Sequence, residues 1–166
     1  MQIAIISDSH DNLPNIYKAL EHIEKLKIVT LIHCGDVCAP AVLEEFAKNF
    51  SGRIYVTCGN VDGDHEGFKR IAKKYSHITI FENAGEIKIE NTNIGFAHYP
   101  DVAHDMATHD NFDIIFYGHN HKPWEEMVKN TKLLNPGTLA GLFNKATFAL
   151  YDIETKNAKL VLLEKI

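Results

Sequence analysis

Gln2-Ile3-Ala4-Ile5-Ile6-Ser7-Asp8-Ser9-His10 decides how the rest of the chain is read. Four apolar residues in a row, three of them β-branched, predict a strand buried on both faces. The strand stops on an aspartate and a histidine one residue apart, both ligands for divalent metals. In an open sheet with helical crossovers, ligands bind in the crevice at the carboxyl ends of the strands. If Asp8 and His10 are ligands, other strands are expected to end on ligands too.

Working outward from that stretch, Asn12 predicts a helix cap, with Pro14 tolerated in the first turn. Leu13, Ile16, Tyr17, Leu20, Ile23 and Leu26 make one apolar stripe at helical spacing. A second strand is expected over Val29 to His33, ending in Cys34-Gly35-Asp36. A helix follows from about Pro40 to Phe50, then a third strand, Arg53 to Thr57, ending in Cys58-Gly59-Asn60. A short helix spans Gly67 to Tyr75. The rhythm then changes to short strands at Ile78–Phe81, Glu86–Glu90 and Asn93–Ala97, with a hairpin turn at Asn91-Thr92 and His98 closing the last of them. A helix over Asp101 to Asp110 leads to an apolar strand, Ile114 to Tyr117, which ends in Gly118-His119-Asn120-His121. The remaining strands are Trp124–Val128, Thr131–Leu134, Ala146–Ile153 and Ala158–Leu163. Without repeat or linker, this pattern predicts one α/β domain over residues 1–166: a four-layer α-β-β-α sandwich of two mixed sheets flanked by helices.

Composition narrows the function. A formal net charge of -5 offers no basic excess to neutralise phosphates, so no general nucleic-acid surface is expected. No basic leader precedes the first strand, and no apolar run approaches the roughly 20 residues of a membrane span. Three cysteines, Cys34, Cys38 and Cys58, lack a Cys-x-x-Cys pair and argue against a disulfide framework or structural zinc. The expected location is the cytoplasm. Ten histidines are many for 166 residues, and several fall where strands end.

Taken in order, the strand ends carry Asp8, His10, Asp36, Asn60, His98, His119 and His121. Nitrogen and oxygen donors in this mixture suit Mn, Ni, Co, Fe or Zn better than the all-oxygen preference of Mg or Ca. Seven donors exceed the needs of one ion. With one bridging carboxylate they match two, about 3.5–4 Å apart, an arrangement that activates water and clamps a phosphoryl group. Asp-x-His, Gly-Asp, Gly-Asn, a strand-end His and Gly-His-x-His in this order resemble the calcineurin-like metallophosphoesterases, and within them the small YfcE-type phosphodiesterases. Asn135-Pro136-Gly137-Thr138 is similar to that family's Asn-Pro-Gly-Ser, and the resemblance spans essentially the whole chain.

The resemblance implies Asp8, His10, Asp36 and His121 on one metal, and Asp36, Asn60, His98 and His119 on the other. It implies a bridging hydroxide attacking in line at phosphorus, with Asp36, Asn60 and His98 as catalytic centre and two ions, Mn or Ni foremost, as cofactors. The substrate is expected to be a small phosphodiester; a phosphomonoesterase, a nucleotide pyrophosphohydrolase and a metal-free scaffold like the retromer subunit are the competing readings. A homo-oligomer is left open. One departure stands out. Many family members place a histidine directly after Gly-Asn to protonate the leaving group, and here that position is Val61. Modest activity, best on diesters or activated aryl esters, is therefore expected. His98 follows Ala97 where the family has glycine.

Elsewhere bland readings prevail. His22, His77, His104 and His109 are expected at solvent, and His33 as a hydrogen-bonded core histidine. Cys34 and Cys58 read as buried filler, and Phe96, Tyr99 and Tyr117 as core rather than as a stacking platform. His65 is weighed as a substitute acid but reads as a loop residue. Asp11 could touch substrate. Asp62 and Asp64 are either partners that orient a ligand or ordinary loop residues.

Overall fold

Alternation along the first strand sets two layers of core at once. In the computed structural model, which describes residues 1–109 and 111–166, Gln2–Ile6 form β1. Ala4 and Ile6 pack into one apolar layer, Ile3 and Ile5 into a second. Burial on both faces is the consequence of an unbroken apolar run rather than an alternating one.

The chain continues as α1 (Leu13–Lys25), β2 (Thr30–His33), α2 (Pro40–Asn49), β3 (Arg53–Thr57), α3 (His65–Lys74) and β4 (Ile78–Phe81). It then runs through β5 (Ala84–Ile89), β6 (Thr92–Ala97), α4 (Pro100–His109), β7 (Ile114–Phe116), β8 (Trp124–Val128), β9 (Thr131–Asn135), β10 (Thr147–Asp152) and β11 (Ala158–Leu162). A six-stranded sheet has the order β11-β10-β1-β2-β3-β4, and a five-stranded sheet the order β5-β6-β7-β9-β8. Parallel pairs β1–β2, β2–β3 and β3–β4 form the heart of the first sheet, with β10 antiparallel to β1. In the second, β6–β7 and β7–β9 are parallel, with antiparallel β5 and β8 at the edges.

Three apolar layers separate four layers of structure. Ile16 and Leu20 of α1, Phe46 of α2 and Phe68 of α3 pack on the outer face of the first sheet. Ile3, Ile32, Phe96, Phe116 and Tyr151 fill the space between the sheets. Ala103 and Ala107 of α4 cover Ile115 and Leu133 of the second sheet. The fold is the expected α-β-β-α sandwich of two mixed sheets.

Element ends differ from expectation where a local hydrogen bond overrides periodicity. Asn12 does cap α1, its side chain accepting from the Asn15 N–H at 3.3 Å. By contrast, α3 starts at His65 rather than Gly67, because the Asp64 carboxylate accepts the Gly67 N–H at 2.8 Å and so caps the helix two residues early. The hairpin turns at Glu90-Asn91, with Glu90 at φ 54°, so Thr92 already pairs with Ile89. The last strand stops at Leu162, and Leu163–Lys165 form a 3-10 turn. The helix α4 ends at His109; Asp110, where its end was expected, lies outside the described residues.

Candidate metal centre

Three neighbouring parallel strands deliver the first donors to one edge of the sheet. Ile6 is in register with His33, and His33 with Val56, so β1, β2 and β3 end side by side. Asp8 and His10 follow β1, Asp36 follows β2 and Asn60 follows β3. From the second sheet, His98 follows β6, and His119 and His121 follow its parallel neighbour β7. All seven predicted residues meet at this edge.

They meet as two groups that share Asp36. Ligand atoms of Asp8, His10, Asp36 and His121 lie within 4.8 Å of one another. In this group His10 Nε2 is 3.1 Å from His121 Nε2 and 3.7 Å from Asp36 Oδ2, and His121 Nε2 is 3.3 Å from Asp8 Oδ1. The other carboxylate oxygen, Asp36 Oδ1, is 3.5 Å from His98 Nε2. His98 Nε2 is in turn 3.0 Å from Asn60 Oδ1 and 3.2 Å from His119 Nδ1. Asp8, Asp36 and His98 are buried, His10 and His121 half-buried, and Asn60 and His119 exposed, so the centre opens to solvent on the Asn60–His119 side.

The backbone is bent to achieve this. Asp8, His10, Asp36, His119 and His121 have φ of 52°, 40°, 60°, 73° and 57°, all in the left-handed region that residues with a Cβ avoid. Such strain costs of order 1 kcal/mol per residue and persists only where surrounding bonds over-determine it. Here they do: Asp8 N–H donates to Gly35 O, His10 N–H to Asp36 O and Gly118 N–H to His98 O, each at 3.0 Å. Two glycines leave room for the donors rather than for a ligand. A Cβ at Gly59 would collide with the Asp36 carboxylate, and one at Gly118 with the Ser7 hydroxyl.

Electrostatically the group is short of positive charge. Among the described residues, no hydrogen bond reaches the buried Oδ1 of Asp8. Burial, with repulsion from Asp36 and Asp62, pushes the Asp8 carboxyl up to about 7 although the His119 N–H bonds its other oxygen. A buried carboxylate with an unpartnered oxygen is what a cation relieves. The imidazoles are poised for one as well. Burial, followed by the nearby ring of His10, lowers the pKa of His121; burial lowers that of His98, and His119 contributes in the same direction. The Cys34 carbonyl can only accept, so His98 Nδ1 carries the proton of their 2.8 Å bond and Nε2 turns its lone pair toward Asn60 and His119. Neutral imidazoles facing carboxylate and amide oxygens fit divalent metal ions.

Several residues noted in the sequence without a settled role, Asp62 and the Asn135–Thr138 turn among them, support the donors here. Asp62, buried, accepts the N–H groups of Asp36 (2.9 Å), Cys38 (2.6 Å) and Gly59 (2.7 Å), tying the loop after β2 to the loop after β3. Its position two residues past Asn60 was the only signal. Asp64, by contrast, is the helix cap described above. Asn135 donates to Gly118 O (2.9 Å) and Asn120 Oδ1 (2.8 Å), steadying the loop that carries His119 and His121. Thr138 Oγ1 donates to Asp8 O at 3.0 Å, giving the Asn-Pro-Gly-Thr turn its role.

The bland readings fare unevenly. His33 is a core histidine bonded to Ser9 Oγ at 2.9 Å, its pKa driven down to about 3 by burial. Cys34 and Cys58 are buried as expected, while Asp11 accepts the Ala39 N–H and so fixes the α2 entry. His22, His77 and His104 are half-buried rather than solvated; His77 Nε2 bonds Ala47 O at 3.2 Å. His65 lies at the exposed start of α3. Phe96 and Tyr117 are core, but Tyr99 is not: it is 37% exposed, with its ring 5.0 Å from those of both His98 and His119.

Comparison with known proteins gives the chain its family. The chain is 33% identical to Phosphodiesterase MJ0936 of Methanocaldococcus jannaschii, over 99% of this chain and all of that protein. A solved structure described as a novel archaeal phosphodiesterase superposes with a TM-score of 0.89 at 30% identity, covering 98% of this chain and 99% of that one. YfcE, a phosphoesterase from E. coli, shares the fold with a TM-score of 0.68 at 19% identity, covering 98% of this chain and 100% of that one. The family model for the calcineurin-like phosphoesterase superfamily domain matches residues 1–156, a span that holds every residue of the centre. The chain therefore belongs to the calcineurin-like phosphoesterase superfamily, whose enzymes work with divalent metal ions.

Proposed function

We propose that this phosphoesterase is a dinuclear metal-dependent phosphodiesterase. The observation that carries the reading is the divided aim of Asp36, with Oδ2 3.7 Å from His10 Nε2 and Oδ1 3.5 Å from His98 Nε2. In this reading Asp8, His10, Asp36 and His121 hold one ion, and Asp36, Asn60, His98 and His119 the other. When bound, such a pair of ions lowers the pKa of water and neutralises charge on a phosphoryl group. The residues do the rest. Asp36 and Asp8 set the negative charge of the site, the Cys34 carbonyl holds the His98 proton on Nδ1, and the exposed edge at Asn60 and His119 admits a small diester. Imidazoles suit Ni, Fe, Co or Zn and the carboxylate and amide oxygens suit Mn, so this mixed donor set is compatible with all five, of which we take Mn and Ni first. The name of the M. jannaschii relative supports diesters over monoesters.

A hydrolysis panel tests the reading. Protein stripped with a chelator is expected to be inactive, and Mn or Ni to restore turnover of bis(p-nitrophenyl) phosphate above that of p-nitrophenyl phosphate. Faster hydrolysis of the monoester would shift the assignment to a phosphomonoesterase, and failure to bind metal at micromolar levels would favour a scaffold.

Val61 makes a second prediction. Its side chain is 42% exposed and its N–H donates to Asp36 Oδ1 at 3.1 Å, so a longer side chain there borders the centre without entering the core. Val61→His is expected to raise turnover of an unactivated alkyl diester, within the roughly 10²–10⁴-fold that a general acid supplies, and to raise that of a p-nitrophenyl ester far less. Equal gains on both leaving groups would rule out proton donation as the missing step.

A further inference from the structure

Beside the centre runs a loop whose side chains are not among the candidate donors. Its base is pinned to the first strand end: Leu139 N–H donates to Ser7 O at 2.9 Å and Ala140 N–H to Asp8 O at 3.0 Å. From α1 and its cap, the side-chain amides of Asn12 and Asn15 reach Ala140 O at 3.0 and 3.3 Å. On this fixed base Phe143 is 95% exposed; among the described residues the next most exposed large apolar side chains, Val29 and Met127, reach 59%. Phe143 also sits at φ 63°, a left-handed conformation that a bulky residue adopts only when held there. Its ring lies 5.8 Å from that of His121, inclined by 30°.

An aromatic ring kept in water, in an unfavourable backbone conformation, beside a donor of the centre, is a surface waiting for a partner. We infer that Phe143 is a specificity-determining residue whose ring stacks on a planar aromatic arm of the substrate, aryl or nucleobase, while the phosphate of that substrate sits at the centre. The inference rests on the metal-dependent phosphodiesterase reading and deepens it. Tyr99 places a second half-exposed ring against the other donor group; Val61, whose N–H bonds Asp36, and Leu142, next to Phe143 in the chain, are exposed too. None of these four side chains brings a cation to a polyphosphate arm, whereas each suits an apolar or planar one. Offset stacking on one ring is sequence-tolerant and is worth roughly a tenfold preference.

Two matched pairs of phosphates test this by calorimetry on the Mn-loaded protein: phenyl phosphate against methyl phosphate, and adenosine 5′-phosphate against ribose 5-phosphate. In the wild type the aromatic member of at least one pair is expected to bind about 10-fold more tightly. Phe143→Ala is expected to bring that ratio close to one, and Phe143→Trp to restore it. Dependence in the first pair identifies an aryl arm, and dependence confined to the second a nucleobase. Ratios that are the same in the wild type and in Phe143→Ala overturn the inference, even with metal bound and diester hydrolysis intact. If light scattering then shows Phe143→Ala dissociating an oligomer, the ring belongs to a contact between copies of the chain. Failure of the protein to take up metal overturns the centre itself, whereas failure of all four phosphates to bind a metal-loaded protein that still hydrolyses diesters overturns the inference alone.

Discussion

Asp8→Asn is expected to lower metal-dependent diester hydrolysis by about 10³-fold or more, and metal content from two ions to one or fewer, while leaving the metal-free fold at least as stable as before. The side chain keeps its shape and the oxygen that accepts the His119 N–H at 3.2 Å, so packing is conserved. What disappears is a buried charge with an unpartnered oxygen. Burial raises the Asp8 carboxyl from 3.8 to about 7. Between those values the folded, metal-free protein binds a proton that the unfolded chain has released. The stability this contributes is fully present below the unfolded value, and is lost as pH rises through the folded one. A shift of this size corresponds to about 4 kcal/mol at neutral pH. Thermal unfolding in chelator is therefore expected to show wild type and Asp8→Asn melting together near pH 4 and diverging toward pH 8, the variant being the more stable. Metal should restore the wild type and not the variant. A variant that kept two ions and the wild-type rate would sink the two-metal reading.

Asp62→Ala is expected to fail in the opposite sense, by losing the fold around the centre before the ligands themselves are touched. Three backbone N–H groups, of Asp36, Cys38 and Gly59, converge on this one buried carboxylate. Hydrogen bonds to a charged acceptor contribute about 1.5–3 kcal/mol each; the Asp36 N–H would stay buried and those of Cys38 and Gly59 partly so, and a loss of order 5 kcal/mol is expected. At this chain length that lowers the melting temperature by roughly 10–20 °C. Asp36 and Asn60 are the proposed ligands these loops carry, so metal affinity and turnover should fall together by about 10²-fold. Asp62→Asn should sit between, since its amide must turn a donor toward at least one of the N–H groups. If Asp62→Ala bound metal and melted like the wild type, the carboxylate would be a bystander.

The two residues differ in how they could be found. Asp8 follows four apolar residues and precedes His10, and a strand that ends on two donors can be read from residue types alone. The same holds for Asp36, Asn60, His119 and His121, each next to a motif glycine or a second donor, and the apolar runs behind them predicted both the strands and the two-sheet sandwich. Asp62 carries no such mark. In the sequence it is an acid in the acidic stretch Asp62-Gly63-Asp64, where Asp64 turns out to be a helix cap and Asp62 the clasp between two loops. Tyr99 likewise read as a core aromatic, and Phe143 carried no signal at all, until packing left both at the surface.

What the amino-acid sequence by itself determined is which atoms could bind metal and which strands would carry them, because donor chemistry and hydrophobic period are local properties. Only the tertiary structure decided that these donors form two groups sharing Asp36, that Asp8 keeps an oxygen without a hydrogen-bond partner among the described residues, and that five of the seven residues accept a left-handed backbone to reach their places. Those features arise where the carboxyl ends of strands from two separate sheets meet. The residues involved lie as far apart as Asp8 and His121, and no local pattern records the distance between them.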